Sequence, residues 1–461
     1  MIIGQPRTKS EPPPLRIKSI RVTGLFDKFD HDIPLHTDER ITIIHGPNGV
    51  GKTMVLRIIA ALFSSRFALL SSMPFAEASV SFLGGGTLSI LRSLDADRGP
   101  ELKISYAKGD FKEACSIRPF KRPTARMEPA FPIQVISDLL PFLERVHPDR
   151  WRDKVHGDLL ALEEVIERYS DRLPSWARTI RVDPIPKWLA DISQRVPTQF
   201  IETQRLRASQ RHSPEEARGR MPRRPDSEVS VEVLAEDLAT EIKMKMRDSG
   251  AMAASLDRTF PHRVLAPEFP VDASDTSVRE LYMAVEELRN RLMKAGLLQA
   301  EGELALPERE LSKHDLKVLW HYLHDVSERL EVYRDLLSRV ELFKDIIDSK
   351  AFLCKRLEIN KDVGFEFRNE AGIVIPLSAL SSGEQHEVVL AFELLFRAHK
   401  KSLVLIDEPE LSLHVSWQER FLADMLRIAE IADVDFIVAT HSPTIVGERS
   451  HLMVELGSRS R

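Results

Sequence analysis

The segment GPNGVGKT, residues 46–53, constrains the fold of this chain more than any other feature, because it matches the pattern GxxxxGK[ST] in full. A short β-branched run, RITIIH, precedes it. Apolar residues recur at the spacing of one helix face in the segment that follows, KTMVLRIIAALF. Strand, glycine loop and helix in this order predict an α/β sheet in which backbone N–H groups converge on phosphate oxygens at a helix N-terminus.

The residues of this loop predict contacts with a nucleotide and its Mg²⁺. Lys52 supplies a positive charge for the β- and γ-phosphates, and the hydroxyl of Thr53 is a ligand for Mg²⁺. The remaining nucleotide contacts are expected from five neighbouring residues, which are Pro47, Asn48, Gly49, Val50 and Gly51.

Composition narrows the class of protein. The chain has 461 residues and 43% hydrophobic content, enough for a large core and two or three structural units. Its 65 Lys and Arg against 70 Asp and Glu leave a net charge of −5, which argues against a basic coat for wholesale nucleic-acid binding. Cys115 and Cys354 form no CxxC or Cys/His cluster, and no apolar run reaches the ~18 residues of a membrane span. We therefore expect a cytoplasmic protein with no membrane partner.

Two acidic residues follow a buried run near the end of the sequence. KSLVLIDEPE contains four apolar residues whose strand would present Asp407 and Glu408 at its carboxyl end. Asp407 is expected to hold Mg²⁺ through water, and Glu408 to polarise the attacking water as general base. FIVATH is another buried run, and a parallel sheet would bring its terminal His441 to the same edge. Lys52, Glu408 and His441 are thus the predicted catalytic residues.

The turn LSSGEQ, residues 380–385, stands far from the phosphate loop in the sequence. It predicts a helix start in which Ser381 or Ser382 is the N-cap and Glu384 or Gln385 closes a capping box. A capping box alone is unremarkable. A second helix N-terminus suited to phosphate, in a chain that already has a phosphate loop, raises the hypothesis that this turn serves a second nucleotide.

The chain divides into four predicted segments. They are a loose leader (1–14), the N-terminal half of an α/β head (15–205), an arginine-rich loop with a helical insertion (206–355) and the C-terminal half of the head (356–461). Within them we expect irregular β-structure over 83–130, mostly helix over 132–195 and a short strand near Phe200. Residues 386–439 alternate helix and strand, as in a parallel α/β sheet.

The helical insertion carries two apolar stripes with heptad-like spacing, which predict two helices in an antiparallel hairpin. The first stripe is Val278, Leu281, Val285, Leu288 and Leu292; the second is Leu316, Leu323, Leu330 and Leu337, with Leu319, Val326, Tyr333, Val340 and Ile347 beside it. A protruding coiled coil and an ordinary helical subdomain with buried leucines both fit this pattern. Beyond it, LEINKDVGFEF and GIVIPL predict strands joined by a turn at RNEAG.

Four motifs resemble those of ABC-type ATPases in kind and order. GPNGVGKT, LSSGEQ, LVLIDEPELSLH and VATHSP look like the phosphate loop, signature, Walker B with D-loop, and switch histidine. Glu384 in the signature is similar to the chromosome-maintenance and DNA-repair branch. GLFDKFDHDIPL and EPELSLH resemble the overcoming-lysogenization-defect-like ATPases, including the ATPase subunits of PARIS-type and Septu-type antiphage systems. The resemblance implies an α/β ABC-type P-loop ATPase head assembled from both ends of the chain, interrupted by a helical, coiled-coil hairpin-like insertion.

The resemblance further implies that ATP is hydrolysed with Mg²⁺ at sites shared by two heads. The two heads would form a head-to-tail homodimer, and such dimers could assemble into a larger ring. Ser381, Gly383 and Glu384 of one chain would then complete the site of the other. The family pattern also assigns Gln204, in FIETQRL, to the glutamine that touches Mg²⁺ and the γ-phosphate, and Ser382 stands where the family usually has glycine.

Two functions stay open at this point. In the first, the ATPase senses an invader through DNA or a phage protein and regulates a separate effector nuclease, since no metal-nuclease constellation stands in this sequence. In the second, an SMC-like ATPase acts on DNA in repair or chromosome maintenance, with the arginine-rich loop at 205–224 on phosphates. Helices of roughly 30 to 35 residues reach only ~50 Å, which is short for a DNA tether and weighs against the second function.

Overall fold

The structure is a computed structural model that divides into two compact packing units. Residues 1–219 with 398–461 form the first, here the head unit, and residues 220–397 form the second, here the middle unit. The structure describes residues 14–95, 99–118, 185–202, 231–266, 274–299, 305–350, 355–411 and 415–457, together with 413 and short stretches between 140 and 169.

The N-terminal part of the head unit contains eleven strands and three helices among its described residues. They are β1 (Ile17–Leu25), β2 (Phe29–Pro34), β3 (Ile41–His45), α1 (Lys52–Phe63), α2 (Phe67–Ser72), β4 (Glu77–Phe82), β5 (Thr87–Asp95), β6 (Gly99–Lys108), β7 (Phe111–Ile117), β8 (Leu143–His147), β9 (Arg150–Asp153), β10 (Leu159–Ala161), α3 (Lys187–Gln194) and β11 (Thr198–Glu202).

A regular antiparallel sheet occupies the region expected to be irregular. Its order is β2-β1-β4-β5-β6-β7, and β5 pairs with β6 without interruption from Thr87–Ala107 to Asp95–Gly99. The expectation of irregular β-structure is therefore wrong for the described part of 83–130. Alternating buried side chains such as Leu88, Ile90 and Ile104 give this sheet an apolar face on the core.

The expectation of mostly helical structure over 132–195 is also wrong for the described residues. These form a three-stranded sheet in the order β10-β9-β8, and α3 is the one helix of at least two turns among them. Trp151 on β9 is completely buried. Burial and strand pairing outweigh the weak helical preference that the composition suggested.

The middle unit contains the helices and a small antiparallel sheet. Its elements are α4 (Val231–Leu265), α5 (Asp275–Lys294), α6 (Lys313–Glu331), α7 (Arg334–Ser349), β12 (Lys355–Asn360), β13 (Gly364–Asn369), β14 (Val374–Ile375) and α8 (Ser382–Phe392). LEINKDVGFEF is thus two strands rather than one, because a turn at residues 361–363 reverses the chain, and RNEAG forms the second turn as expected.

Most of the second leucine stripe is buried, and the stripe is shared by two helices. A break between α6 and α7 at Val332 and Tyr333 divides it. α6 packs against both α4 and α5, and Leu323, Leu330 and Leu337 are buried. Packing on more than one neighbour is the arrangement of a helical subdomain with buried leucines, and the described residues form no extended two-helix coiled coil.

Residues 356–397 pack with the helices, whereas the sequence assigned them to the C-terminal half of the head. An aromatic cluster explains this packing: the Phe343 ring on α7 lies 5.6 Å from that of Phe365 and 6.1 Å from that of Phe392. Gly364 on β13 approaches the Ala235 carbonyl of α4 so closely that no Cβ would fit. The packing boundary consequently falls between residues 397 and 398.

The C-terminal part of the head unit completes a five-stranded parallel sheet. Its elements are β15 (Leu403–Asp407), α9 (Val415–Ala432), β16 (Asp435–Ala439), α10 (Pro443–Val446) and β17 (Met453–Glu455). The strand order is β11-β15-β16-β3-β17, and every neighbouring pair is parallel. The head is therefore an α/β sheet built from both ends of the chain, and the carboxyl ends of β3, β15 and β16 meet at one edge.

Candidate nucleotide site

The phosphate loop connects β3 to α1 in a conformation that only glycine adopts easily. Gly51, the N-cap residue of α1, has φ 99°, and a Cβ there would overlap the Leu25 side chain. No side chain caps α1, and its first turn contains no acidic residue. Pro47, Asn48 and Gly49 are exposed. The first N–H groups of α1 and the positive end of its dipole are thus available to an anion.

Lys52 folds back over the loop that precedes it. Its Nζ donates hydrogen bonds to the carbonyl oxygens of Gly46 at 2.9 Å and Pro47 at 3.2 Å, and the residue is 5% exposed. Burial lowers the pKa of Lys52, although the nearby carboxylates of Glu408 and Asp407 oppose this shift. The ammonium group is held at the loop by carbonyl dipoles that a phosphate could replace.

Thr53 and Asp407 bring two oxygen ligands together. The Thr53 hydroxyl, in the first turn of α1, donates a hydrogen bond of 3.0 Å to Asp407 Oδ1 at the end of β15. A hydroxyl and a carboxylate beside a phosphate-binding loop are the hard oxygen donors that Mg²⁺ prefers. These two residues therefore fit a Mg²⁺ ion that a nucleotide would bring.

Glu408 adopts a strained backbone conformation immediately after β15. Its φ is 47°, in the left-handed region, and its N–H donates to the carbonyl oxygen of Ala439 at 2.8 Å. A non-glycine residue in this region costs roughly 1–2 kcal/mol. Such strain often marks a functional position. The bond to β16 holds Glu408 in this conformation next to Asp407.

His441 reaches the phosphate loop from the end of β16. Its Nδ1 lies 3.5 Å from Lys52 Nζ. Burial, and then the charge of Lys52, lower the pKa of His441, while Glu408 and Glu410 oppose the shift. The imidazole is consequently neutral at neutral pH. The position of Nδ1 opposite an ammonium donor favours the tautomer with its proton on Nε2, where it can be donated to a phosphate oxygen.

Glu410 and His31 are two residues of this site that the sequence reasoning missed. Glu410 lies in the 3₁₀ turn Pro409–Leu411, and its carboxylate accepts hydrogen bonds from Thr440 and His441. His31 on β2 is buried, and its Nε2 lies 2.9 Å from the carbonyl oxygen of Val50 in the phosphate loop. The sequence could have indicated Glu410, because it is the third carboxylate of DEPE and follows the two predicted acidic residues closely. For His31 the sequence offered none, because the contact depends on how β2 packs.

The signature turn belongs to the middle unit and forms the capping box anticipated there. Ser381 is the N-cap of α8, and its Oγ accepts from the N–H of Glu384 at 3.3 Å. Glu384 Oε2 accepts in return from the N–H of Ser381 at 2.7 Å and pairs with Lys355 Nζ at 2.7 Å. Burial would raise the pKa of Glu384, but these bonds outweigh it and lower that pKa. Ser381 and Ser382 remain exposed at the start of the helix.

Gln204 lies outside the described residues, as does the arginine-rich loop at 205–224. The strand before it, β11, is the one expected near Phe200. β11 pairs with β15 so that Glu202 stands opposite Asp407. Among the described residues, no group of three or more His, Cys, Asp and Glu side chains could by itself hold a metal ion.

Fold and site together show an α/β P-loop fold built from both ends of the chain, with a helical region in the middle of the chain. Residues 271–447 match a family model described as "AAA domain, putative AbiEii toxin, Type IV TA system". Within the described part of the chain, no helix has the length and apolar character to cross a membrane.

Curated proteins that resemble the chain carry the name UvrABC system protein A. That of Streptococcus pyogenes serotype M3 (strain SSI-1) is 25% identical over 200 residues, which are 39% of this chain and 21% of the relative. That of Oceanobacillus iheyensis is 35% identical over 82 residues, 18% of this chain and 8% of the relative. The matched stretch spans about a fifth of the length of these relatives or less.

Solved structures to which this chain is similar include an SMC head bound to the C-terminal winged-helix domain of ScpA and the recombination mediator RecF with ATP. The first is 13% identical, with 96% of this chain and 95% of that chain covered and a TM-score of 0.33. The second is 11% identical, with 95% of each chain covered and a TM-score of 0.24.

Proposed function

We propose that this chain hydrolyses ATP with Mg²⁺ at composite sites, each formed by the head unit of one copy and the signature turn of another. The observation that carries the proposal is the convergence of four side chains at one edge of the parallel sheet. Lys52 contacts His441, Thr53 contacts Asp407, and Asp407 stands opposite Ala439 in the strand register. Together with Glu408, which follows Asp407 directly, these side chains can bind the phosphates and Mg²⁺ and activate water for phosphoryl transfer.

Each side chain has a distinct part in the reaction. The open N-terminus of α1 and the Lys52 ammonium bind the phosphates. Thr53 and Asp407 would hold a Mg²⁺ ion, which would supply positive charge to the phosphate groups. Glu408 accepts a proton as the water oxygen attacks the γ-phosphorus and the bond to the β–γ bridging oxygen breaks. The products are ADP and phosphate. The Nε2 proton of His441 stabilises the charge on the transferred group.

The signature turn supports the composite arrangement. Ser381 is exposed, and the Ser381–Glu384–Lys355 contacts hold it at the start of a capped helix. In this proposal Ser381 and Gly383 contact the phosphates of a nucleotide bound to another copy of the chain. Because the Glu384 carboxylate already bonds Lys355 and the Ser381 N–H, we assign Glu384 to positioning this turn for the nucleotide.

ATP hydrolysis is tested by comparing the wild type with Lys52→Ala and Glu408→Gln. We expect Lys52→Ala to lose ATP affinity, and Glu408→Gln to bind ATP while its turnover falls by at least about 100-fold. Isothermal titration calorimetry and phosphate release distinguish the two effects. Equal turnover by the wild type and Glu408→Gln would refute this assignment of the general base.

For the biological role, we propose a regulatory ATPase that restrains or releases a separate effector nuclease in antiphage defence. The matched family model, whose description names a toxin and a Type IV TA system, agrees with a role in a system of more than one component. The second candidate is an SMC-like ATPase that acts on DNA in repair or chromosome maintenance, as the Glu384 form of the signature suggests. The regulatory role predicts a stable partner protein, whereas the DNA role predicts turnover stimulated by DNA alone.

Native mass spectrometry of Glu408→Gln discriminates between these roles. The variant would be purified with Mg-ATP from cells that also express the neighbouring genes. An even-numbered assembly with a nuclease-like second chain would support the regulatory role. An ATP-dependent dimer without partners would favour DNA as the target, and a monomer unchanged by ATP would contradict the composite site.

A further inference from the structure

The carboxylate of Glu410 bridges the two residues at the end of β16. Its Oε2 accepts a hydrogen bond from the Thr440 hydroxyl at 2.8 Å, and its Oε1 accepts from the His441 N–H at 2.6 Å. Thr440 is completely buried. One carboxylate therefore fixes both the buried hydroxyl and the peptide from which the His441 side chain projects. Bonds to a charged acceptor are stronger than neutral ones and leave less freedom in this segment.

A second set of bonds ties the same two segments together. Gln418 on α9 donates to the carbonyl oxygens of Glu410 and Leu413, each at 3.3 Å. The Ser442 hydroxyl donates to Gln418 Oε1 at 2.9 Å, and the Ser442 N–H donates to Thr440 Oγ1 at 2.9 Å. Through Gln418 and Ser442, these hydrogen bonds connect the turn after Glu408 to the segment that carries His441, in addition to the bonds made by the Glu410 carboxylate.

We propose that Glu410 is a positioning residue that acts through His441: its carboxylate holds the Thr440–His441 peptide so that the imidazole stays at the phosphate loop. The inference rests on the proposed ATP hydrolysis. It differs from the roles of Asp407 and Glu408, because no step of the reaction needs the Glu410 carboxylate to touch Mg²⁺, water or phosphate.

The consequence is a coupling between two loops at the sheet edge. A change in the turn Pro409–Leu411 is transmitted to His441 through two hydrogen bonds from one side chain. A displacement of about 1 Å at a reacting group can lower a rate by about 100-fold, even when ligand binding is unaffected. Loss of Glu410 should therefore lower kcat and leave ATP affinity unchanged.

The test measures kcat, KM and the ATP dissociation constant for Glu410→Ala, Glu410→Gln and His441→Ala, and for the double variant of Glu410→Ala with His441→Ala. In Glu410→Ala we expect kcat to fall about 100-fold, with KM and the dissociation constant within about twofold. Glu410→Gln should retain most of the activity, because its amide oxygen can accept from His441 N–H and its amide N–H can donate to Thr440. Glu419→Ala, an exposed site on α9, is the matched control.

The double variant separates positioning from a structural role. If Glu410 acts through His441, Glu410→Ala should add no further loss of kcat once His441 is alanine. Multiplicative losses, or a raised KM at unchanged kcat, would overturn the inference. If Glu410→Ala fails to fold, Thr440→Val tests the same bridge and should also lower kcat without weakening ATP binding.

Different results would refute the role of Glu410 and the proposed ATP hydrolysis. A wild type that hydrolyses ATP, with turnover lost in Glu408→Gln and unchanged in Glu410→Ala, would refute the inference and leave the ATPase standing. A wild type with no hydrolysis under conditions of demonstrated ATP binding would refute both.

Discussion

Thr53 Oγ1 donates a hydrogen bond of 3.0 Å to Asp407 Oδ1, although 354 positions of sequence separate the two residues. The parallel sheet explains this contact. β15 and β3 both pair with β16, so that the helix start after β3 and the carboxyl end of β15 meet at one edge. In the sequence, the middle of the chain lies between these two halves of the site.

Asp407→Asn tests this pair as a Mg²⁺ site. The amide can still accept the Thr53 hydrogen bond, but it lacks the charge that attracts the ion. We expect the Mg²⁺ concentration for half-maximal ATPase activity to rise at least about tenfold. Titration of turnover against Mg²⁺ measures this, with exposed Asp110→Asn in the β6–β7 turn as the control. An unchanged Mg²⁺ dependence would remove Asp407 from the ion site.

Mixing two inactive variants tests whether the signature turn acts in the partner chain. Lys52→Ala disables one half of each site and Ser381→Arg disables the other. In a head-to-tail heterodimer of these variants, one site carries both substitutions and the other is intact. An equal mixture should therefore recover about a quarter of wild-type turnover, because about half of the dimers are mixed. Absence of any recovery in a mixture shown to contain heterodimers would contradict trans complementation.

Replacement of Glu408 should reveal the strain of its left-handed backbone. Glu408→Gly relieves the strain and Glu408→Ala does not, while both lose the carboxylate. We expect the glycine variant to have a free energy of unfolding about 0.5 to 1 kcal/mol above that of the alanine variant. Urea unfolding of the two proteins measures the difference. Equal stability would show that the position carries no strain.

Two glycine-to-alanine substitutions should affect different properties: one should weaken ATP binding, and the other should raise stability. Gly51→Ala places a Cβ against Leu25 at φ 99°, so we expect ATP affinity to fall at least about tenfold through distortion of the phosphate loop. Gly250 lies in α4 with open space around it, and Gly250→Ala should raise stability by about 1 kcal/mol with ATP affinity unchanged. Calorimetric titration and thermal unfolding give the two readouts. Tight ATP binding by Gly51→Ala would contradict the role of the loop.

The lowered pKa of His441 predicts a contribution to acid sensitivity. The imidazole binds its proton less readily in the folded protein than at its ordinary pKa of 6.5. The unfolded chain therefore takes up more protons, and the free energy of unfolding falls as pH drops through 6.5 and the folded-state pKa. We expect His441→Gln to lose less stability than the wild type between about pH 7.5 and about pH 5.5. Identical losses would contradict a lowered pKa for His441 in the folded protein.

Local sequence chemistry predicted the elements whose signals are short-range. The helix expected at KTMVLRIIAALF is α1, the buried runs at Leu403 and Phe436 are β15 and β16, and the capping box forms between Ser381 and Glu384. Each depends on residues within a few positions of one another. By contrast, the prediction of helices in the region of β8 to β10 was wrong, because the pairing of these strands depends on residues beyond a local stretch of sequence.

The sequence by itself determined the phosphate loop, its flanking strand and helix, the acidic strand end at Asp407 and the presence of a helical insertion. These features follow from residue type and spacing, because glycine conformations, the alternation of apolar and polar residues, and helix caps depend on residues only a few positions apart. Only the tertiary structure decided that Glu410 bonds His441, that His31 contacts Val50 and that residues 356–397 pack with the helices. Such contacts depend on strand order and on packing between distant segments, which local physical chemistry does not specify.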